Sequence, residues 1–226
     1  KMFVQNKWYH SHCMGINKHL GMLDDYVHLT KAAIMLYKIT GEYYYLEQSI
    51  SLTNCILEYF SNKEGGYFNN SNDQKDVIIK NIQYLDNVTP NANAVLLSIF
   101  SEISLITSDT KYVQLYENLK STISKKISNQ YLGSTSFLKN YNLSKTAKLI
   151  IIAGENKDQN EIIHQKIYEH YVDNIMIIVI DKKSDLDKKF RFYKDINIKS
   201  QTLIYICKDN SCSLPFTDVK TLKKYL

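Results

Sequence analysis

The feature that most constrains this chain is an internal repeat. Apolar residues at Leu29, Ala32, Ala33, Leu36 and Ile39 fall at the spacing of one face of an amphipathic helix, and Gly41 ends that helix. A second helix is predicted from about Glu42 to Phe60, with Tyr45, Leu52 and Ile56 on one face. Gly65-Gly66 close the hairpin, and Tyr67-Phe68 begin an extended segment. The same pattern returns 67 residues later. Leu29 maps to Leu96, Ala32 to Ile99, Ala33 to Phe100, Leu36 to Ile103 and Ile39 to Ile106. Thr40 maps to Thr107, Tyr45 to Tyr112, Leu52 to Leu119 and Ile56 to Ile123. A helix–turn–helix unit cannot bury its apolar face alone and must stack on neighbours. A tetratricopeptide solenoid repeats about every 34 residues, which does not match. The long segment 61–89 between hairpins suggests a partial α/α toroid, in which inner and outer helices alternate and long loops cross one rim.

The pattern changes after Ser144. Ala147–Ala153 reads as a buried strand, Glu161–Val172 as a helix, Ile175–Ile180 as a second strand and Thr202–Cys207 as a third. Thr217 is placed to cap a last helix carrying Val219, Leu222 and Leu226. The expected fold is therefore mainly α, with helical hairpins over 1–145 and a small α/β appendage over 146–226.

Charge narrows the function classes. The net charge of +5 raises nucleic acid as a partner, but its distribution argues against one. Basic and acidic residues are interspersed along the whole chain, and Arg191 is the one arginine among 28 basic residues. Bidentate phosphate and guanine recognition favours arginine, so the lysines read as solvated surface. No apolar run approaches the roughly 20 residues of a membrane span. The first residue is Lys1 rather than Met, which suggests a trimmed chain, and no signal peptide is visible. A cytoplasmic location is the expectation.

Several motifs carry possible chemistry. His10, His12, Cys13, His19 and His28 crowd the first 28 residues, but with no recognised metal-ligand spacing, so no metal is expected and none of the readings needs a cofactor. His10 is kept as a candidate acid or base. Asp24-Asp25-Tyr26 opens the first helix. Asp24 suits an N-cap, and adjacent carboxylates also serve as acid, base or sugar-binding groups. Asp86 to Asn93 opens the repeat-equivalent helix, with Thr89 as a cap and Pro90 in the first turn. The offset sets Asn93 opposite Tyr26, and equivalent helices of a toroid run parallel, so both polar motifs should line one mouth. Cys207 and Cys212 end the last strand around Asp209-Asn210. Their spacing is not that of a thioredoxin motif; it allows a disulfide across a turn or two thiols, and thiols are the default in a reducing compartment.

Together these motifs resemble those of the thioredoxin-domain-containing, spermatogenesis-associated protein family. The resemblance is carried by His10, Gly15, Gly21, Leu23, Asp24, Asp25 and Tyr26, then Gly65-Gly66-Tyr67-Phe68, then Asp86, Thr89-Pro90 and Asn93. It ends on Cys207, Cys212, Pro215, Thr217-Asp218 and Leu226, with Ala92 standing where the family usually carries Gly. It implies a six-hairpin, glycosidase-like α/α toroid, with a thioredoxin-like domain and earlier hairpins expected upstream of Lys1. It also implies reversible pairing of Cys207 with Cys212.

Two functions follow as expectations. In the first, His10, Asp24 and Asp25 act with Tyr26, Asp86 and Asn93 at the mouth on a carbohydrate or other hydroxyl-rich ligand, Tyr26 forming an aromatic wall. In the second, the chain is a non-catalytic scaffold or interaction region of a redox protein. Its apolar edge would then meet the N-terminal half of the family protein, or a second copy.

Overall fold

The computed structural model describes residues 1–5, 7–128, 130–169, 174–189, 193–208 and 211–222. Arg191, the Asp209-Asn210 turn, Leu226 and the Val172 end of one predicted helix lie outside the described residues. The chain divides into two compact units, Lys1–Ser101 with Tyr112–Asn142, and Glu102–Lys111 with Leu143–Leu226.

The first unit opens on an antiparallel three-stranded meander that the sequence pattern had not disclosed: β1 (Phe3–Val4), β2 (Lys7–Cys13) and β3 (Ile16–Leu20). Four long helices follow along the chain, α1 (Leu23–Thr40), α2 (Tyr43–Tyr59), α3 (Ala92–Thr107) and α4 (Thr110–Ile127), of which the end of α3 and the start of α4 fall within Glu102–Lys111 of the second unit. A short 3-10 turn (Tyr131–Ser134) leads into α5 (Thr135–Thr146).

The 67-residue repeat is real down to its caps. α1 ends on Gly41 at φ 69°, whose N–H donates to Tyr37 O at 2.8 Å. At the equivalent position Ser108 takes φ 53° and its N–H donates to Ser104 O at 2.7 Å. Both are left-handed terminators. The preceding threonines also correspond: Thr40 Oγ1 donates to Leu36 O and Thr107 Oγ1 to Ile103 O, each at 2.8 Å.

Contacts fix the direction of α1 and α3. At the start of α1 the Leu23 N–H donates to Asn69 O at 3.0 Å, and at the start of α3 Asn93 clasps the backbone of Tyr67, two residues away in the same segment. Further along, Lys31 Nζ reaches Ser98 Oγ at 3.2 Å, a pair separated by the repeat offset itself. Two helices that start beside one segment and meet again farther on run the same way.

The buried faces depart from the pattern on α1 and α2. Leu96, Ile99, Phe100, Ile103 and Ile106 of α3 are all at most 1% exposed, as expected. On α1 the core face is instead Leu23, Tyr26, Val27, Thr30, Ala33, Ile34 and Tyr37. Leu36 is 42% and Ile39 57% exposed, Ala32 is exposed and Leu29 half-buried. On α2 the buried stripe is Leu46, Ser49, Thr53 and Ile56, with Tyr45 and Leu52 half-buried. α1 carries apolar residues on two sides, and periodicity alone does not say which side meets the core.

The second unit holds a four-stranded sheet in the order β5-β4-β6-β7. β4 (Lys148–Ala153) pairs in parallel with β5 (Ile175–Ile180) and antiparallel with β6 (Leu203–Lys208), and β7 (Ser211–Cys212) adds an edge. The connecting helix α6 is Lys157–Glu169, starting four residues before the predicted Glu161. α7 (Lys183–Lys188) and α8 (Val219–Leu222) also belong to the unit. Ile150 and Ile152, Ile175 and Ile177, and Ile204 and Ile206 alternate onto one face, where Ile163 and Ile167 of α6 and Leu222 of α8 cover them. Asp218, rather than Thr217, starts α8: its Oδ1 accepts the Lys220 N–H at 2.9 Å.

Candidate functional site

The meander carries His10 to the start of α1. His10 Nδ1 lies 2.8 Å from Asp25 Oδ2, and both side chains remain partly open to solvent, 50% and 27%. Asp25 also accepts the Met22 N–H at 2.8 Å. It closes the helix start by reaching back from the third helical position, the logic of a capping box. Asp25 therefore does the capping work that the sequence suggested for Asp24, because the helix begins at Leu23 and places Asp24 inside the first turn. Asp24 is left exposed. Neighbouring atoms crowd its carboxyl and raise it above its ordinary value, His28 opposes that shift and Asp25 adds to it. The result is two carboxylates and two imidazoles around one helix start.

The other expected ligand residues are engaged inside the protein. Tyr26 is 2% exposed, packs its ring 5.2 Å from Phe60 and accepts the Trp8 N–H at 3.0 Å. It is a core residue joining α1 to β2, not an aromatic wall. Asp86 Oδ1 accepts the Asn91 N–H at 2.9 Å, while Oδ2 accepts the Ser136 N–H at 2.8 Å and the Thr135 hydroxyl at 3.1 Å. Partial burial pushes the Asp86 carboxyl up, but the backbone N–H groups of Ser136 and Asn91, with the hydroxyl donors, outweigh it and hold it below the ordinary value. One carboxylate thus ties the start of α3 to the start of α5.

Asn93 is fully buried. Its Oδ1 accepts the Tyr67 N–H at 2.8 Å, and its Nδ2 donates to Tyr67 O at 3.0 Å and Gln83 O at 3.1 Å. The cap of α3 is Asn91 rather than Thr89: Asn91 Oδ1 accepts the Ala94 N–H at 3.1 Å. Sequence reasoning missed Asn69 and Gln83, which link the two helix starts, and Asn91, which caps α3. Asn69 Nδ2 reaches Gln83 Oε1 at 3.4 Å, and Gln83 O meets Asn93. Polar residues in a long inter-hairpin loop were the available signal.

The structure therefore pairs His10 with Asp25, sets His28 against Asp24, and links the start of α1 to Asn93 through the loop. It does not place Asp86 or Tyr26 as open groups beside them. Elsewhere in the same unit, a cleft of about 430 Å³ lies between Asn62, Gly65, Gly66 and Tyr67 of the loop and Asn118 and Thr122 of α4. None of the residues expected to bind a ligand lines it. Among the described residues, no group of three or more His, Cys, Asp or Glu forms a metal cluster, and no helix is long and apolar enough to cross a membrane. His12 Nδ1 faces Asn17 Oδ1 at 2.6 Å across the β2–β3 hairpin, and Cys13 is an exposed thiol.

At the other unit's sheet edge, Cys207 and Cys212 stand opposite one another on β6 and β7 and are disulfide-bonded, with Cα atoms 4.0 Å apart. The antiparallel register places them there, so the thiol default drawn from composition does not hold.

No family profile matches the chain. Curated relatives do. Human spermatogenesis-associated protein 20 is 24% identical over 216 residues, which is 91% of this chain and 27% of the relative. The mouse and rat proteins of the same name are each 23% identical over 214 residues, again 91% and 27%. The chain is similar to these proteins over most of its own length. It spans about a quarter of the length of these relatives. The residues that carried the resemblance now have physical roles: Asp25 caps α1, Tyr26 fastens the meander, Asp86 joins two helix starts and Asn93 holds the Gly65–Phe68 segment.

Proposed function

We propose that this chain is an interaction region of a longer protein of the family, in which the outer face of α1 seats a further helical hairpin. One observation carries this reading. The repeat-equivalent positions Leu96, Ile99, Ile103 and Ile106 are buried on α3, whereas Leu29, Ala32, Leu36 and Ile39 leave an open apolar stripe on α1. The caps of the two helices match, so the difference lies in what covers them. A hairpin of the same kind, stacked ahead of α1, would cover that stripe and extend the array towards a six-hairpin α/α toroid. Lacking it, the chain should self-associate through this face. The test is sedimentation of the chain and of a Leu36→Glu, Ile39→Lys variant. Association that the variant abolishes supports the reading; a monomeric wild-type chain at high concentration sinks it.

A second reading keeps the polar start of α1 as a binding site for a carbohydrate or another hydroxyl-rich molecule. The contact of His10 with Asp25, beside the crowded carboxyl of Asp24, favours it. Such a cluster offers both donors and acceptors to a polyol. Calorimetric titration with mono- and disaccharides, against a His10→Ala, Asp24→Asn variant, separates the two. Both positions avoid the Asp25 cap and the buried ties. Equal heats, or none, remove this second reading and leave the first.

A further inference from the structure

We infer that Cys207 and Cys212 form a reversible dithiol–disulfide couple, a site at which an external dithiol exchanges electrons with this protein, with Cys212 as the sulfur that is attacked. The inference rests on the β6–β7 hairpin, and is independent of the readings above.

The hairpin does not need the disulfide to stay closed. On one side of the bridge, Lys208 pairs with Ser211. On the other, the Ser213 N–H donates to Ile206 O at 2.8 Å and the Ile206 N–H donates to Ser213 Oγ at 3.1 Å. Farther on, Ile204 and Phe216 exchange two backbone hydrogen bonds, at 2.8 and 3.1 Å. The segment that carries Cys212 is thus fastened to β6 by four further hydrogen bonds, and β6 is held by its register with β4. Breaking the S–S bond leaves the two cysteines facing each other. A pair held in place in both states loses little freedom when it reoxidises, so the bond can be made and broken without refolding.

Access to the two sulfurs is unequal. Cys207 is 5% exposed, on the covered part of β6, whereas Cys212 is exposed on the edge strand. Exchange needs a thiolate to reach a disulfide sulfur, and access decides which sulfur is attacked. An incoming dithiol, as thiolate, therefore bonds to Cys212 Sγ, and the Cys207–Cys212 bond breaks. Cys207 leaves as a thiolate and takes up a proton. The second thiol of the reductant then attacks its own sulfur in the mixed disulfide, which releases Cys212 as a thiolate that is protonated in turn. The protein pair gains two electrons and two protons, and the dithiol becomes a cyclic disulfide. The reverse sequence oxidises the pair.

The other two cysteines do not confuse the readout when thiols are mapped by peptide mass. Cys13 is an exposed thiol, and burial pushes the Cys55 thiol up, so each has its own peptide and reactivity. The experiment treats the native full chain with dithiothreitol at a graded ratio of reduced to oxidised reagent, then alkylates and maps it. Circular dichroism is recorded at each ratio. We expect Cys207 and Cys212 to become alkylated together at a defined ratio, to re-pair when the ratio is reversed, and the spectrum to stay unchanged. Oxidised glutathione is then added to the Cys207→Ser and Cys212→Ser variants. Cys212 in the first should gain one glutathione at least tenfold faster than Cys207 in the second. A bond that resists dithiothreitol until the protein unfolds overturns the inference. So does a reduced protein that loses its sheet signal, or equal labelling of the two single thiols.

Discussion

Replacing Asn93 with Ala tests whether this residue holds the fold or waits for a ligand. The side chain has no exposed surface and makes three hydrogen bonds, two to Tyr67 and one to Gln83. Each such bond contributes about 1 kcal/mol net, and a buried group left without a partner costs about 1–3 kcal/mol. Tyr67 is 5% exposed, so its N–H and C=O would be stranded. The expected loss is therefore about 3–5 kcal/mol. With a urea slope of about 2 kcal/mol per molar, the unfolding midpoint should fall by roughly 2 M. The single tryptophan, Trp8, makes a clean probe because its backbone is bonded to Tyr26 in the same unit. Asn93→Asp is the control. It keeps an acceptor for the Tyr67 N–H but has no donors for the two carbonyls once ionised, so it should be no more stable than the alanine variant. A midpoint within about 0.3 M of wild type, which at that slope is under about 0.6 kcal/mol, would refute the reasoning and return Asn93 to the list of available binding groups.

Three further outcomes are expected. Asp86 is held below its ordinary carboxylate value in the folded chain, so its contribution is present above the unfolded value, near pH 4, and fades as pH falls through the lower folded value; acid titration of stability should show this limb, and Asp86→Asn should flatten it. Ile106→Ala should cost about 2–5 kcal/mol by denaturation, whereas Ile39→Ala at the equivalent exposed position should stay within about 1 kcal/mol. Gly65 sits at φ 99° with Thr122 Oγ1 2.5 Å from where a Cβ would stand, so Gly65→Ala should destabilise by more than about 1 kcal/mol, and adding Thr122→Ala should recover the steric part while the backbone strain remains.

Much of the helical architecture was legible because it is written twice. The offset that aligns Leu29 with Leu96 also aligns Gly41 with Ser108, and both end their helices in the left-handed conformation. Ile175–Ile180 was legible because a buried parallel strand reads as a continuous apolar run. The meander was not: β2 is Lys-Trp-Tyr-His-Ser-His-Cys, with no buried residue and hence no apolar alternation to see. Nor was the antiparallel direction of β6, since alternation and length are the same in either direction. The face of α1 was misplaced because its partner α3 is buried nearly all round. Carrying the pattern of α3 back onto α1 selects a stripe that α3 covers and α1 leaves open.

The polar motifs show why a site is harder to read than a fold. A helix start exposes backbone N–H groups that must find acceptors, so Asp, Asn and Thr gather there whether or not anything binds. In this chain the long loop between the hairpins adds to that demand, because it is itself fastened at Tyr67, Asn69 and Gln83. Asp86 and Asn93 answer that demand completely, and their hydrogen-bonding capacity is directed inward. Asp25 answers it in part, accepting one N–H and still meeting His10 at the surface. Asp24, displaced from the cap by one residue, stays at the surface. The residues still open to bind something are therefore those that the local backbone uses least. By that criterion Asp24 and His10 are less committed to the local backbone than Asp86 and Asn93.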